Sequence, residues 1–364
     1  MLRKISLASA ALFLFFASIA QDSTKTLTFS GSIDGYYRHN FAGKTNNYTS
    51  FTNSQGSFEL GMASLRADAT ALSGKVGATV DLGFGRRAEE FSYNDGNDNV
   101  GTGADKNGFL SLAAVKQAYV TYAASSKVKF TAGKFATHVG YELLDAPLNR
   151  NYSMSYMFTN GPFFHTGVKA DITAGPVAFM VGLTNYTDQS TATTSTKNFI
   201  AQFSGASKSG KLKFYLNYSG FGGSDKGVNP SGLKSLNQID AVILGTISSK
   251  FNIGYNGTVQ SRKQIKGSTI ANGSWIGNAL YLNFDPSDKT GFTVRAELIS
   301  DSKTIYYGTK SIFATTASVN CKVGPLTIIP ELRFESAQSN FYLKNNGTGT
   351  KSSATALIAA VYKF

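Results

Sequence analysis

From Leu27 to the end of the chain, apolar and polar residues alternate with a period of two in one segment after another. That period places one class of side chain on each face of a β-strand, and a helix cannot sort it. In the first segment Leu27, Phe29, Ile33 and Tyr37 share one face, while Thr28, Ser30, Ser32, Asp34 and Arg38 share the other. After Lys250, Phe251, Ile253, Tyr255 and Val259 alternate with Asn252, Asn256, Thr258 and Gln260. After Gly291, Phe292, Val294, Ala296 and Leu298 alternate with Thr293, Arg295 and Glu297. A soluble sandwich would turn these apolar faces inward and leave free edges. A closed cylinder with lipid outside and a polar interior accounts for an apolar face on nearly every segment.

Connection lengths sharpen the reading. Short turns fall at Ser73-Gly74, Ser125-Ser126, Gly175-Pro176, 208–210, Ser248-Ser249, 286–289 and Gly324-Pro325. Longer polar stretches lie between them at about 41–56, 92–109, 136–163, 186–196, 222–236, 262–273, 301–309 and 337–351. The alternation predicts an all-β fold, a transmembrane antiparallel up-and-down β-barrel of sixteen strands. Apolar parity slips between Met62 and Leu65, which predicts a bulge there, and Lys116 and Lys134 fall on nominally outward faces. Charge on a lipid face costs roughly 2–4 kcal/mol at mid-bilayer and little near the interfaces, so both lysines are expected close to a rim.

The ends of the chain carry addresses. Arg3 and Lys4 precede an apolar run from Ile5 to Ile19, and small Ser18 and Ala20 precede Gln21, so residues 1–20 read as an export signal and 21–364 as the barrel. Loss of Arg3 and Lys4 lowers the formal charge from +13 to +11. The basic residues are scattered, so no nucleic-acid partner is expected. One cysteine, Cys321, excludes an internal disulfide in an oxidising compartment. At the other end Ala354, Ala356, Ile358, Ala360, Tyr362 and Phe364 alternate outward. A last strand ending on an aromatic residue resembles the assembly signal of outer-membrane barrels, and implies recognition of Tyr362 and Phe364 by the barrel assembly machinery.

Catalytic signatures are scarce. His39, His138 and His165 are scattered, with no helix-spaced partner or Cys pair, so neither a metal site, a cofactor nor a catalytic triad is expected. The Gly101–Gly103 patch lacks the strand-to-helix setting of a phosphate loop. Tyr36, Tyr37, Tyr122, Tyr218, Tyr306 and Tyr307 stand near strand ends, where interface girdles or, as a sharper reading, a carbohydrate-stacking track would use them.

The stretch 136–163 is unusually rich in Tyr, Leu, Met and Phe for a solvated loop. It joins the fifth and sixth strands, and by analogy with sixteen-stranded general porins it is expected to fold inward as a constriction. Glu142, Asp145 and Arg150 would then present charge to the pore. Facing them by strand parity are Arg38, Arg66, Arg87, Lys169, Lys213, Arg295 and Arg333, interspersed with Asp34, Asp68, Asp81, Asp171, Asp240, Glu297 and Glu331. Opposite charges across a narrow wet gap favour small polar solutes over apolar ones. These residues could equally be salt-bridged to one another with no selectivity role.

Gly140-Tyr141-Glu142, Asp145-Ala146-Pro147, Asn151-Tyr152-Ser153, Ser155-Tyr156, Phe158 and Gly161-Pro162-Phe163 leading to His165-Thr166-Gly167 resemble the central block of the OmpL-like family of β-barrel porins. Met154 stands where that pattern often has a basic residue. The resemblance implies a porin-type channel and names no substrate. The barrel pattern as a whole leads to the expectation of a bacterial outer-membrane protein, surrounded by lipid and passing small hydrophilic solutes by passive diffusion, with a homotrimer left open. A structural or adhesion barrel with a blocked lumen, and a lipid-modifying barrel enzyme, are the competing readings. Net basicity favours anion preference.

Overall fold

The computed structural model describes residues 25–95, 110–192, 194–222, 232–268 and 271–364. The segment expected to be an export signal and the patch Gly101–Gly103 lie outside the described residues. Among those described, sixteen strands close into one antiparallel barrel. They are β1 (Thr26–Asn40), β2 (Ser57–Ala71), β3 (Val76–Phe84), β4 (Val115–Ala123), β5 (Val128–Ala136), β6 (Phe164–Ala174), β7 (Val177–Asn185), β8 (Lys197–Ala206), β9 (Leu212–Gly222), β10 (Leu233–Thr246), β11 (Phe251–Gln264), β12 (Gly273–Ser287), β13 (Thr290–Ser300), β14 (Ser311–Val323), β15 (Leu326–Ala337) and β18 (Ser352–Lys363). A small hairpin, β16 (Tyr342–Leu343) with β17 (Gly349–Thr350), sits in the last long loop.

Each strand pairs with its sequence neighbour, and β1 pairs with β18 to complete the ring, with Ile33 opposite Tyr362 and Tyr37 opposite Ile358. Closure is what a lipid environment demands, because an unpaired backbone N–H or C=O there costs several kcal/mol. Exposure is inverted relative to a soluble protein. On β13, Phe292, Val294 and Leu298 are 43 %, 40 % and 49 % exposed, whereas Arg295 and Glu297 are 0 % and 1 %. The greasy side faces outward and the charged side inward.

Four expectations need correction. The β2 bulge lies at Gly61, opposite Asp34 and Gly35, one residue before the stretch where parity was seen to slip, and it turns Met62 inward. Lys116 is not on the lipid face. The β3–β4 register shifts at Asp81/Leu82, so Lys116 is the extra residue and points into the lumen with Gln117. Lys134 also points inward, because Gly133 adopts a φ of 133° that a side chain would resist, and the alternation flips there. Tyr36 and Tyr307, expected in an interface girdle, are buried in the interior instead. Adjacent Tyr36 and Tyr37 cannot share a strand face.

At the seam, Gly31 and Phe364 exchange backbone hydrogen bonds of 2.9 and 3.0 Å, and the Phe364 ring lies over Gly31. A Cβ on Gly31 would meet the ring at 2.6 Å and the Ser64 carbonyl at 2.5 Å. Gly31→Val is therefore expected to destabilise closure by about 1–3 kcal/mol. The readout is a lower temperature for loss of the compact, fast-migrating form on a gel, and an unchanged temperature would mean that the ring moves away freely.

Candidate functional site

The third long loop, L3 (residues 137–163), runs inside the barrel. Its ends meet where the Thr137 N–H donates to the Phe163 carbonyl at 3.1 Å. An irregular chain has no ladder of its own, and its peptide groups still need partners once removed from water. The inward-facing residues of the wall supply them.

Along β9–β11, His138 Nε2 lies 3.0 Å from the Tyr218 carbonyl, the Gly140 N–H donates to Asp240 at 3.0 Å, and the Tyr141 N–H donates to Asn256 at 3.3 Å. Tyr141 then stacks on Tyr281 with ring centres 3.9 Å apart. Farther on, Glu331 accepts from the Tyr152 and Ser153 N–H groups at 2.8 and 3.2 Å, and Glu297 accepts from Tyr156 N–H at 2.8 Å. Carbonyls are met by guanidinium groups. Arg295 donates to Ser153 and Met154, and Arg333 to Met154. Local sequence helps: Ser155 caps the short helix Tyr156–Asn160 by accepting from the Phe158 N–H at 3.0 Å.

Beneath these contacts lies a chain of buried charge. Arg295 pairs with Glu142 of the loop and with Glu297 at 2.9 Å, and Arg333 bridges Glu297 at 3.2 Å and Glu335 at 2.9 Å. Around it, three apolar clusters hold L3 to the wall, centred on Tyr156 and Trp275, on Phe158 and Phe163, and on Tyr152 and Tyr36.

The sequence-nominated residues therefore divide by environment. Glu142 is buried on Arg295, whereas Asp145 and Arg150 keep partial contact with solvent and pair with Lys116 at 2.5 Å and Asp285 at 2.6 Å. Arg38 is buried beneath the first long loop, donating to the Thr45 and Ser54 carbonyls at 2.8 Å. Asp34 receives the Tyr152 hydroxyl, and Asp81 holds Lys116 at 3.0 Å. Asp240, Arg295, Glu297, Glu331 and Arg333 all point inward and are covered by L3. Arg66 with Asp68 (2.7 Å) and Lys169 with Asp171 (3.1 Å) remain about a quarter to a third exposed. Arg87 is corrected: it does not stand on a strand. The helix Arg86–Phe91 follows β3 and drops Arg87 into the lumen, where it donates to the Leu144 and Tyr152 carbonyls at 3.0 and 3.2 Å.

Strand parity missed residues that other loops contribute. Asp188 has a φ of 58° and accepts from the Phe163 and Phe164 N–H groups at 2.6 and 3.0 Å and from the Tyr93 hydroxyl at 3.2 Å. Burial pushes its carboxyl up to about 7, against the two backbone donors, the Tyr93 hydroxyl and the Lys134 charge, which pull the other way. Nearby, Asp95 pairs with Lys134 at 2.7 Å and accepts from Ser190.

Two cavities lie on opposite sides of L3. The outer one, about 420 Å³, opens among the long loops and is walled by Asn198, Ser219 and Gln238. An inner one of about 440 Å³, toward the short turns, is walled by Gln202, Asn217 and Val242 of the same three strands. L3 is the partition between them, with residues 159–163 lining the outer cavity and 137–143 the inner one.

A closed barrel with a lipid-facing exterior and a loop folded across a polar interior defines an outer-membrane barrel of the porin class. The chain belongs to the family described as "Putative beta-barrel porin-2, OmpL-like", which matches residues 26–364. It is a porin-like protein of the bacterial outer membrane. Among solved structures it is similar to the outer-membrane channel DcaP of Acinetobacter baumannii (12 % identity, 94 % of this chain and 99 % of that one, TM-score 0.64). It is also similar to an anion-selective porin from Comamonas acidovorans (11 %, 93 % and 100 %, 0.63) and to a trimer form of OmpT of Vibrio cholerae (13 %, 94 % and 100 %, 0.57). At these identities the likeness is one of fold. No curated protein sequence matches.

Three outcomes follow from this geometry. Arg295→Leu leaves Glu142 without its ion-pair partner and Glu297 with Arg333 alone as a counter-charge, and should cost about 3–5 kcal/mol in denaturant unfolding. Lys169→Leu, at a partly exposed pair, should cost under about 1 kcal/mol. For Asp188 the folded value lies above the ordinary carboxylate range near 4, so the folded state retains a proton that the unfolded state loses. Its stabilising effect is complete below about pH 4 and is lost as pH rises through about 7, amounting to at most about 4 kcal/mol. The thermal midpoint of the detergent-solubilised protein should fall between about pH 5 and 8, and Asp188→Asn should flatten that slope.

Proposed function

We propose that the protein is a channel for passive diffusion of small hydrophilic solutes. The observation that carries this reading is the pair of cavities on the two faces of L3, which share the β8–β10 wall and are divided by that loop. A solute enters among the long loops, passes this partition and leaves at the short-turn side without energy input. Partly exposed pairs of opposite charge, Arg66 with Asp68, Lys169 with Asp171 and Arg150 with Asp285, give the inner half of the lumen a polar field that disfavours apolar solutes.

Several supporting expectations belong to the same reading. Residues 1–20 direct export and leave a mature chain beginning at Gln21, and Tyr362 and Phe364 are the assembly signal. The formal charge of +11 that remains favours anions. A homotrimer is supported by the trimer form of Vibrio cholerae OmpT, which shares the fold.

One observation favours a second reading, a structural barrel with a blocked lumen: L3 is anchored around much of the wall and packed by three apolar clusters. Single-channel recording separates the two. Stepwise current with a reversal potential on the anion side is expected across a salt gradient. Asp240→Ala, which removes the acceptor of Gly140 N–H, Asn217 and Asn256, should raise conductance by loosening the partition. Well-folded protein that passes no current would favour the blocked barrel, and clear cation preference would refute the charge argument.

A further inference from the structure

We propose that the outer cavity is a binding site for a neutral, polyhydroxylated solute of the size of a small saccharide, so that the channel selects at its entrance. The proposal rests on the channel reading and adds its substrate class. At about 420 Å³ the cavity falls within the range of small-ligand sites, roughly 300–1,000 Å³.

Its chemistry is that of amides and hydroxyls. Asn198, Gln238 and Gln260 line one side: Asn198 and Gln238 each spend one amide N–H on a neighbour and keep capacity to donate and accept, while Gln260, whose two N–H groups are spent within the protein, can only accept. They are oriented in advance. Gln260 donates to Gln238 at 3.0 Å and to the Asn160 carbonyl at 3.0 Å, and accepts from Trp275 Nε1 at 3.2 Å. Gln238 donates to Thr258 at 3.0 Å, and Asn198 to Ser219 at 2.9 Å. Fixing amides before the ligand arrives removes an ordering cost from binding.

Tyr93 and Tyr186 also line this cavity. Tyr186 packs edge-on against Phe221 with ring centres 5.1 Å apart, and Tyr93 edge-on against Phe163 at 6.1 Å. Aromatic bodies with polar tips suit a ligand that shows C–H surface on its faces and hydroxyls at its rim.

Charge argues against ionic ligands. Among the described lining residues none is Lys or Arg, so an anion finds no counter-charge. Both carboxylates in the lining are engaged by the protein: Asp188 by Phe163, Phe164 and Tyr93, and Glu90 by the Phe51 N–H and the Asn53 amide at 2.7 Å. The basic character of the chain as a whole does not extend to this cavity.

Trp275, the single tryptophan of the chain, touches the site through Gln260 and serves as the reporter. Folded, detergent-solubilised protein is titrated with maltotriose and, separately, with tricarballylate as an anion. A saturable change in tryptophan emission with the sugar and none with the anion is expected. The double variant Asn198→Leu/Gln238→Leu should raise the half-saturating concentration about tenfold, one to two lost hydrogen bonds. In parallel, maltotriose on the long-loop side of a planar bilayer should block ion current reversibly. Absence of an emission change with the sugar, or an equal response to tricarballylate, overturns the site. Sugar binding in a protein that passes no current would uphold the site and overturn the channel reading alone.

Discussion

Every peptide group in this molecule that lies away from water must find a partner, and the barrel and its contents can be read from that one requirement. The strands meet it by closing on themselves, β1 on β18. L3 has no ladder, so side chains of the wall and of the helix after β3 provide one. Asp240, Glu297 and Glu331 accept its N–H groups, while Arg87, Arg295 and Arg333 donate to its carbonyls. Charged groups suit this task because their hydrogen bonds are shorter and stronger than neutral ones.

This use of charge changes what the lumen residues mean. A wall residue that holds the loop cannot also present its full charge to a passing solute. The buried chain from Glu142 through Arg295, Glu297 and Arg333 to Glu335 positions L3, and the field in the wet part of the lumen is left to Arg66, Asp68, Lys169, Asp171, Arg150 and Asp285. In the channel proposed above, selectivity at the entrance falls to the amides of the outer cavity, where the described lining has no basic group.

Much of this was legible beforehand, for identifiable reasons. Sixteen strands follow from turn chemistry and a period that a strand alone produces, and lipid makes the pattern strict because each outward position must be apolar. The residues that escaped parity are those where the backbone departs from it. Lys116 is the extra residue of a bulge, Lys134 follows Gly133, and Arg87 lies past the end of β3 on a helix. A lysine assigned to a lipid face was itself the sign that parity had broken. Asp188 carried no such sign: a loop aspartate becomes a buried acceptor only when two other loops close over it.

Period, turns and a terminal aromatic strand determined from the chain alone that this is a closed barrel with its apolar side outward, since local alternation suffices to sort two faces. Which inward charges meet water and which hold L3 was decided only by the tertiary structure. That division depends on where the loop crosses the lumen, and the crossing brings together residues a hundred or more positions apart, such as Gly140 with Asp240 and Glu142 with Arg295, whose pairing no local pattern encodes.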